Sequence, residues 1–207
     1  MGQSNAKGRA LLKAAAEGDV DRVRTLISDD GADLDFADPD DGNTGLHLAA
    51  LNNRHQCVEC LAHAGANTVA TNRAGLTPLH VAALEGSAAA ATALREYGVC
   101  GTVGDPSGNT ALHLACANGQ AEVVRAIVMV ADLSITNDAG ETARDVGERT
   151  GHADCVALVK AQASLNGKLL LLLLLVVVVV VFVVAVVEAE VGLFQPARIS
   201  ESDFGGS

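Results

Sequence analysis

Aromatic residues are almost absent from this chain. Its 207 residues contain no Trp, one Tyr and four Phe, so aromatics make up 2% of a composition that is 49% hydrophobic. A core built around a few large rings is therefore excluded. Ala, Leu and Val must fill the core in thin layers, which suits small repeated helices.

Basic residues are also scarce. Fourteen Lys and Arg stand against 25 Asp and Glu, which gives a net charge of −11 at pH 7. Nucleic acid is a poor partner for such a surface, because phosphates require Lys and Arg. A protein partner with a basic surface is the better electrostatic match.

The chain lacks the marks of a secreted, metal-binding or catalytic protein. Its cysteines are odd in number and irregularly spaced, which argues against a disulfide framework and favours a reducing compartment. The N-terminus has no apolar stretch typical of a cleavable signal peptide. No phosphate-binding loop, dinucleotide fingerprint, nucleophile elbow or His-Glu-x-x-His occurs. We therefore expect no enzyme activity, no cofactor, no metal site and no small-molecule substrate.

A seven-residue pattern recurs about every 33 residues. It begins at Thr44 (Thr-Gly-Leu-His-Leu-Ala-Ala), Thr77 (Thr-Pro-Leu-His-Val-Ala-Ala) and Thr110 (Thr-Ala-Leu-His-Leu-Ala-Cys), with a decayed copy at Thr142. Nine residues after each Thr stands a Gly or Asn, and a second apolar patch follows at fixed phase. Each unit therefore predicts two short amphipathic helices, and the Gly- and Asp-rich stretches between units predict β-turns.

These residues resemble the ankyrin repeat, whose Thr-Pro-Leu-His-x-Ala motif is complete at 77–82. The resemblance covers residues 7–163 and implies an all-α solenoid with β-turn tips, because single units cannot bury their apolar faces alone. Its first unit lacks Thr and His and resembles an N-terminal cap with about two extra residues in the loop 36–43. Its last unit has lost the Leu-His pair and resembles a C-terminal cap. The five predicted units are 7–42, 43–75, 76–108, 109–140 and 141–163.

In this family the Thr and His side chains hydrogen-bond to organise the turn. A metal or catalytic role for the histidines is the weaker alternative, because they recur once per unit, roughly a repeat apart in space. The resemblance thus implies a structural role for Thr44, His47, Thr77, His80, Thr110 and His113.

The cysteines carry no recognisable site. Cys57 and Cys60 form a Cys-x-x-Cys, but no second pair of zinc ligands accompanies them. By repeat phase we expect both to fill the core, with Cys155 in the phase of Cys57. Cys100 is expected to be an ordinary loop thiol, the alternative being a reactive one.

Ankyrin-like stacks bind proteins in a concave groove formed by the turn tips and the exposed side of the first helices. At the tips the resemblance assigns partner binding to Asp38, Asp40, Asp41, Asn43, Asn72, Arg73, Leu76, Asp105, Ser107, Asn109, Asn137, Asp138 and Glu141. On the helix face it adds Leu51, Asn52, Leu84, Glu85, Ala117 and Asn118. The acidic first loop is the most distinctive element. The alternative is that these are solvated turn residues with no fixed partner.

A run of nineteen apolar residues, 169–187, contains no charge, Gly or Pro. As a helix it spans roughly 28 Å, close to the thickness of a bilayer core. We predict a linker at 164–168, a single transmembrane helix at 169–187 as in tail-anchored proteins, and a disordered tail at 188–207. The flanking Lys168 favours repeats in the cytosol, and the acidic far flank favours a secretory-route membrane. Alternatively the run is low-complexity or artefactual sequence, and the protein is cytoplasmic.

Residues 1–6 are predicted to be flexible. They partly fit a myristoylation signal, with Ala6 where Ser or Thr is preferred. The sequence as a whole predicts a non-catalytic adaptor or scaffold that binds a protein while anchored to a membrane. One alternative is a soluble ankyrin-repeat inhibitor or scaffold, and another is a regulatory fragment of a membrane enzyme.

Overall fold

The structure, a computed structural model, describes residues 2–28, 32–99 and 101–192. In this part of the chain the regular elements are α-helices, with one isolated antiparallel bridge between Thr136 and Thr142 and no strand. The all-α prediction is confirmed. The helices are α1 (Gly2–Glu17), α2 (Val20–Ser28), α3 (Gly45–Leu51), α4 (His55–His63), α5 (Pro78–Glu85), α6 (Ala88–Glu96), α7 (Ala111–Ala117), α8 (Ala121–Ile127), α9 (Ala143–Thr150) and α10 (Ala153–Gly192).

The chain divides into two units, one up to Ala163 and one from Ser164. In the first unit successive helices form helix-turn-helix pairs that stack in two rows. The first-helix row consists of α1, α3, α5, α7 and α9, each in contact with the next. The second-helix row consists of α2, α4, α6 and α8, stacked in the same way, and the start of α10 adds Cys155 and Val159 to the common core.

One kind of turn joins the two helices of every pair. A left-handed residue ends the first helix, and it is Gly in four pairs and Asn53 (φ 54°) in the second. The next N–H then bonds back to the first helix, for example from Ser87 to the Ala82 carbonyl oxygen at 2.9 Å. A positive φ strains most side chains, so the recurrence of Gly nine residues after the Thr has a backbone cause.

The core of the solenoid consists of small aliphatic side chains. Each internal unit buries a Leu from its first helix, at Leu46, Leu79 and Leu112, with no more than 1% of each exposed. Alanines at 49, 82 and 115 are fully buried one turn later. No aromatic side chain is among the described buried residues, as the composition requires.

Three features differ in detail from the sequence-based expectations. Residues 2–6, expected to be flexible, form the first turn of α1, since no Pro interrupts the segment. The extra length of the first loop is one residue within its turn, where Asp38 pairs with Asn43 but Asn72 pairs with Leu76. The predicted linker 164–168 is helical and continuous with α10, although its Ser, Asn and Gly have low helix propensity.

The described residues of the second unit, 164–192, form the remainder of α10. Every residue from Leu169 to Val181 leaves at least half of its side chain exposed. Among the described residues one helix, Ala153–Val181, is long and apolar enough to cross a membrane, and it contains an 18-residue window with a mean hydropathy of 2.6 in which no residue is buried. Of the predicted disordered tail, 188–207, residues 188–192 belong to α10. The rest of the tail and the Cys100 thiol lie outside the described residues.

Candidate protein-binding face

The three internal motifs fold into the same helix cap. Thr44, Thr77 and Thr110 stand in extended conformation immediately before α3, α5 and α7. In each cap the Thr backbone N–H donates to Nδ1 of the His three residues later, at 3.1, 3.1 and 3.2 Å. The Thr Oγ1 lies 2.9, 2.8 and 2.8 Å from the same nitrogen. The cap therefore engages polar groups that would otherwise be stranded at a buried helix start.

The other ring nitrogen of each histidine reaches the next unit. Nε2 lies 2.9, 3.1 and 3.0 Å from a backbone carbonyl oxygen there, and the acceptors in order are Leu76, Asn109 and Glu141. Because Nδ1 accepts from a backbone N–H, the proton belongs on Nε2, which donates to the carbonyl. Each histidine thus joins two repeats.

These histidines are held in the neutral form. Their rings are no more than 1% exposed, and burial lowers the pKa of each below its ordinary value because it disfavours the charged ring. The hydrogen bond to the neighbouring carbonyl opposes that shift and is the smaller effect. A neutral, fully engaged imidazole has no free nitrogen for a metal or a substrate.

A turn projects between successive units, and one side chain organises each of them. The Oδ1 of Asn72 accepts from the N–H groups of Ala74 and Leu76, both at 3.0 Å. Asp105 and Asn137 bind their own turns in the same manner, and Asp38 accepts from Asp40 N–H at 2.8 Å. In these four predicted contact residues a side-chain oxygen atom therefore accepts hydrogen bonds from the residue's own turn.

Neighbouring turns are also tied to one another. Asn72 Nδ2 donates to Asn43 Oδ1 at 2.9 Å, and Asn137 makes the same contact with Asn109 at 2.9 Å. The Arg73 N–H donates to the Asp41 carbonyl oxygen at 3.0 Å. The projecting turns therefore form a row in which Asn side chains link the first turn to the second and the third turn to the fourth.

Other predicted contact residues have exposed side chains along this row. At the turns these are Asp40, Asp41, Arg73, Ser107 and Asp138, and on the first-helix row they are Leu51, Asn52, Glu85 and Asn118. Leu76, Leu84 and Ala117 are half-buried. Asp41 is partly engaged, since both of its carboxylate oxygens accept from Asn43. Asp40 makes no side-chain hydrogen bond within the described residues.

Two comparisons decide the family. A model of ankyrin repeats in three copies matches residues 11–105, and a model of a single ankyrin repeat matches residues 107–138. The chain belongs to the ankyrin repeat family. No curated protein gives a significant match to it. Ankyrin repeats are protein-interaction modules, so the role of the solenoid is to bind protein.

A fifth ankyrin-like pair lies beyond the residues matched by the family models. Helices α9 and α10 follow a Thr142 cap in which Asp145 replaces the histidine. Asp145 Oδ2 accepts from the Thr142 N–H at 2.9 Å and from its hydroxyl at 2.6 Å. These hydrogen bonds lower the pKa of Asp145. Sequence reasoning missed the substitution, although a carboxylate three residues after Thr is itself the pattern of a capping box.

The same unit closes the end of the ankyrin stack with an ion pair. Arg149 donates from Nε and from its terminal nitrogen to the two carboxylate oxygens of Glu141, at 2.7 and 3.0 Å. The pair lowers the pKa of Glu141. The Glu141 side chain, which we expected to contact a partner, is thus engaged within the last repeat.

The cysteines of the ankyrin stack are largely structural. Cys57, Cys116 and Cys155 are buried, whereas Cys60 is half-buried on the second-helix row, so only its core placement needs correction. One turn of helix separates positions i and i+3 only approximately, which turns Cys60 toward the surface. Burial raises the pKa of Cys57 to about 11 and of Cys116 to about 12. Within the described residues no group of His, Cys, Asp or Glu is arranged to hold a metal ion.

Proposed function

We propose that this ankyrin-repeat chain is a non-catalytic adaptor that binds a protein partner on its first-helix row and projecting turns while a C-terminal span anchors it to a membrane. The observation that carries the proposal is that one chain contains both an ankyrin stack and thirteen successive exposed Leu and Val side chains, Leu169 to Val181.

The exposed turn residues support a partner with a basic surface. Asp40, Asp41 and Asp138 present carboxylates along the row, against one cation at Arg73. Arg73 is itself occupied in part, because its Nη1 donates to the Asp40 carbonyl oxygen at 3.1 Å. Complementary charge chiefly sets partner choice and association rate, while Leu51 and the small side chains of the row supply apolar contact.

The apolar run supports the membrane anchor. A Leu or Val side chain gains about 1.5–3 kcal/mol when it is fully removed from water, so half-burial of the thirteen residues is worth on the order of 10–20 kcal/mol. No described part of the protein covers them. A bilayer would remove these side chains from water, and a helix provides the internal backbone hydrogen bonds that a segment in lipid requires.

Charge at the ends of the run supports repeats in the cytosol. Lys168 lies immediately before the run, and Lys160 lies two turns earlier, paired with Glu148 at 2.9 Å. Positive residues within about 15–20 positions of a span favour the cytosolic side, whereas acidic residues such as Glu188 contribute little. Those acidic residues fit a secretory-route membrane better than a mitochondrial one.

Fractionation tests the anchor. The full chain should stay in the membrane pellet after alkaline carbonate extraction, and a variant lacking residues 169–187 should be released. Recovery of the intact chain in the soluble fraction would remove the anchor and leave the soluble inhibitor or scaffold as the function.

Charge reversal tests the acidic row. Asp40→Lys should reduce capture of the partner because its carboxylate is exposed and holds no turn. Glu122→Lys is the matched control, since Glu122 is an exposed carboxylate on the second-helix row, paired only with Arg125. Equal partner recovery with both variants would show that the acidic row is not the binding site.

A further inference from the structure

Exposed apolar side chains of the solenoid are concentrated at one end of the helix pairs. Six large apolar residues are at least 39% exposed in the described part of the first unit. Only Leu51 lies at the turn between the first and second helix. The other five lie at the ends of the second helices or in the loops that follow them, and we call them the second-helix edge: Val69, Tyr97, Val103, Met129 and Val130.

Repeat phase places the end of the last repeat next to this edge. Leu94, Ile127 and Val159 occupy equivalent core positions in α6, α8 and α10. Three residues later stand Tyr97, Val130 and position 162. The point at which α10 leaves the solenoid is therefore the next position along the row that exposes Tyr97 and Val130.

Chain length limits how far the run can lie from the solenoid. Leu169 is six positions beyond Ala163, a span of about 20 Å when fully extended and about 9 Å in a helix. Packed helices lie about 8–10 Å apart, so Val130 and Tyr97 are roughly one and two such steps from the end of the last repeat. A bilayer that receives the run at Leu169 thus has its surface within reach of this edge.

We propose that the second-helix edge rests in the headgroup region of the bilayer that holds the anchor. Amphipathic aromatic side chains favour that region, and the chain's single Tyr is part of the edge. The proposal supplies an amphipathic aromatic residue at the interface, since no Trp or Tyr flanks the run in sequence.

The charges of the edge indicate the lipid. Glu96 is exposed, with one carboxylate oxygen 3.9 Å from Arg95. Asp132 is exposed, and hydrogen bonds from Ser134 lower its pKa. The exposed His63 lies beside the edge, in a surface hollow that Arg24, Glu59 and Tyr97 also line. With no excess of cations the edge fits zwitterionic lipid, and the addition of anionic lipid should not strengthen the contact.

Intrinsic fluorescence tests the contact without a label. The chain contains one Tyr and no Trp, so its emission comes from Tyr97 alone. The full chain is reconstituted in phosphatidylcholine vesicles, with and without a nitroxide on the lipid near the headgroup. We expect the nitroxide lipid to quench Tyr97, and acrylamide in the water to lose most of its ability to do so.

A relocated tyrosine provides the matched control. Leu51 is exposed to nearly the same extent as Tyr97, 41% against 39%, but lies at the opposite end of its helix pair. In the double variant Tyr97→Phe, Leu51→Tyr, acrylamide should quench the emission and the nitroxide lipid should not. In a second variant, Met129→Ser with Val130→Ser, quenching of Tyr97 by the lipid should fall while carbonate resistance persists.

The inference rests on the proposed anchor, and carbonate extraction of the same vesicles separates the two. Acrylamide quenching of Tyr97 without lipid quenching, in a carbonate-resistant chain, would overturn the bilayer contact and leave the anchor intact. Protection from both quenchers would overturn it in favour of a protein on the edge, either a partner or a second copy. Release by carbonate would overturn the anchor first, and the contact with it.

Discussion

Replacing His80 by Ala tests the histidine links between repeats. The change removes the acceptor of the Thr77 N–H at 3.1 Å, the 2.8 Å contact with Thr77 Oγ1 and the bond to the Asn109 carbonyl oxygen at 3.1 Å. Loss of the cap costs about 1 kcal/mol, and loss of the inter-repeat bond about another 1 kcal/mol. Thr77 is 3% exposed, so its stranded N–H adds about 1–3 kcal/mol.

We therefore expect His80→Ala to lower the free energy of unfolding by about 3–5 kcal/mol, measured by urea denaturation of the full chain in detergent micelles with circular dichroism. Asp145→Ala is the comparison, because among the described residues Asp145 bonds only within its own unit, as the cap of α9, and its Thr142 is half-buried. It should cost about 1 kcal/mol. If His80→Ala lowers the free energy of unfolding by no more than Asp145→Ala does, the histidine does not join the repeats.

Three further predictions concern pH, backbone strain and thiol reactivity. The buried histidines have lower pKa values in the folded chain than in the unfolded chain, so the unfolded chain binds more protons. The free energy of unfolding is therefore at its full value above about pH 6.5. Below that pH it falls by at most about 1.4 kcal/mol per pH unit for each histidine. An unchanged urea midpoint at about pH 5 would contradict this. Gly42→Ala should lower stability more than Gly151→Ala does. Both glycines have φ near 80° (75° and 82°), but of the two only Gly42 would bring a Cβ against backbone, 2.9 Å from Arg73 N. Equal melting temperatures of the two variants would refute the clash. Cys57 and Cys116 should resist labelling by iodoacetamide until the chain unfolds, because burial raises their pKa to about 11 and about 12. Mass spectrometry measures the labelling, and rapid labelling of the folded chain would contradict this prediction.

The repeat architecture was accessible from the sequence because one unit recurs with its chemistry intact. Thr and His three residues apart define a cap, and a Gly or Asn nine residues after the Thr ends the first helix. Both constraints are local, so spacing alone reveals them. The Thr142 cap of the fifth unit was only half recognised, because Asp145 performs the same local task with a different side chain.

The sequence does not reveal in the same way which turn residues are free to contact a partner. Asp38, Asn72, Asp105 and Asn137 look like exposed polar residues in sequence, yet each bonds its own turn. Whether a polar side chain faces a partner or its own backbone depends on turn geometry, which composition does not specify. Their shared phase, one polar acceptor per turn, was the available clue.

The exposed apolar edge shows a second limit. Tyr97 and Met129 follow the last core residues of α6 and α8, and helical periodicity does not say whether such residues pack inward or face solvent. Their exposure depends on how neighbouring repeats stack, and stacking is a property of the assembled solenoid.

Site-specific photo-crosslinking in isolated membranes tests the central claim most directly. A photoreactive amino acid replaces Ser107, an exposed turn residue, and in a second chain Glu122, on the second-helix row. The account predicts a protein crosslinked from position 107 and not from 122, in a membrane fraction that resists carbonate. Crosslinks of equal yield from both positions, or none from position 107, would contradict a partner-binding face on the turns.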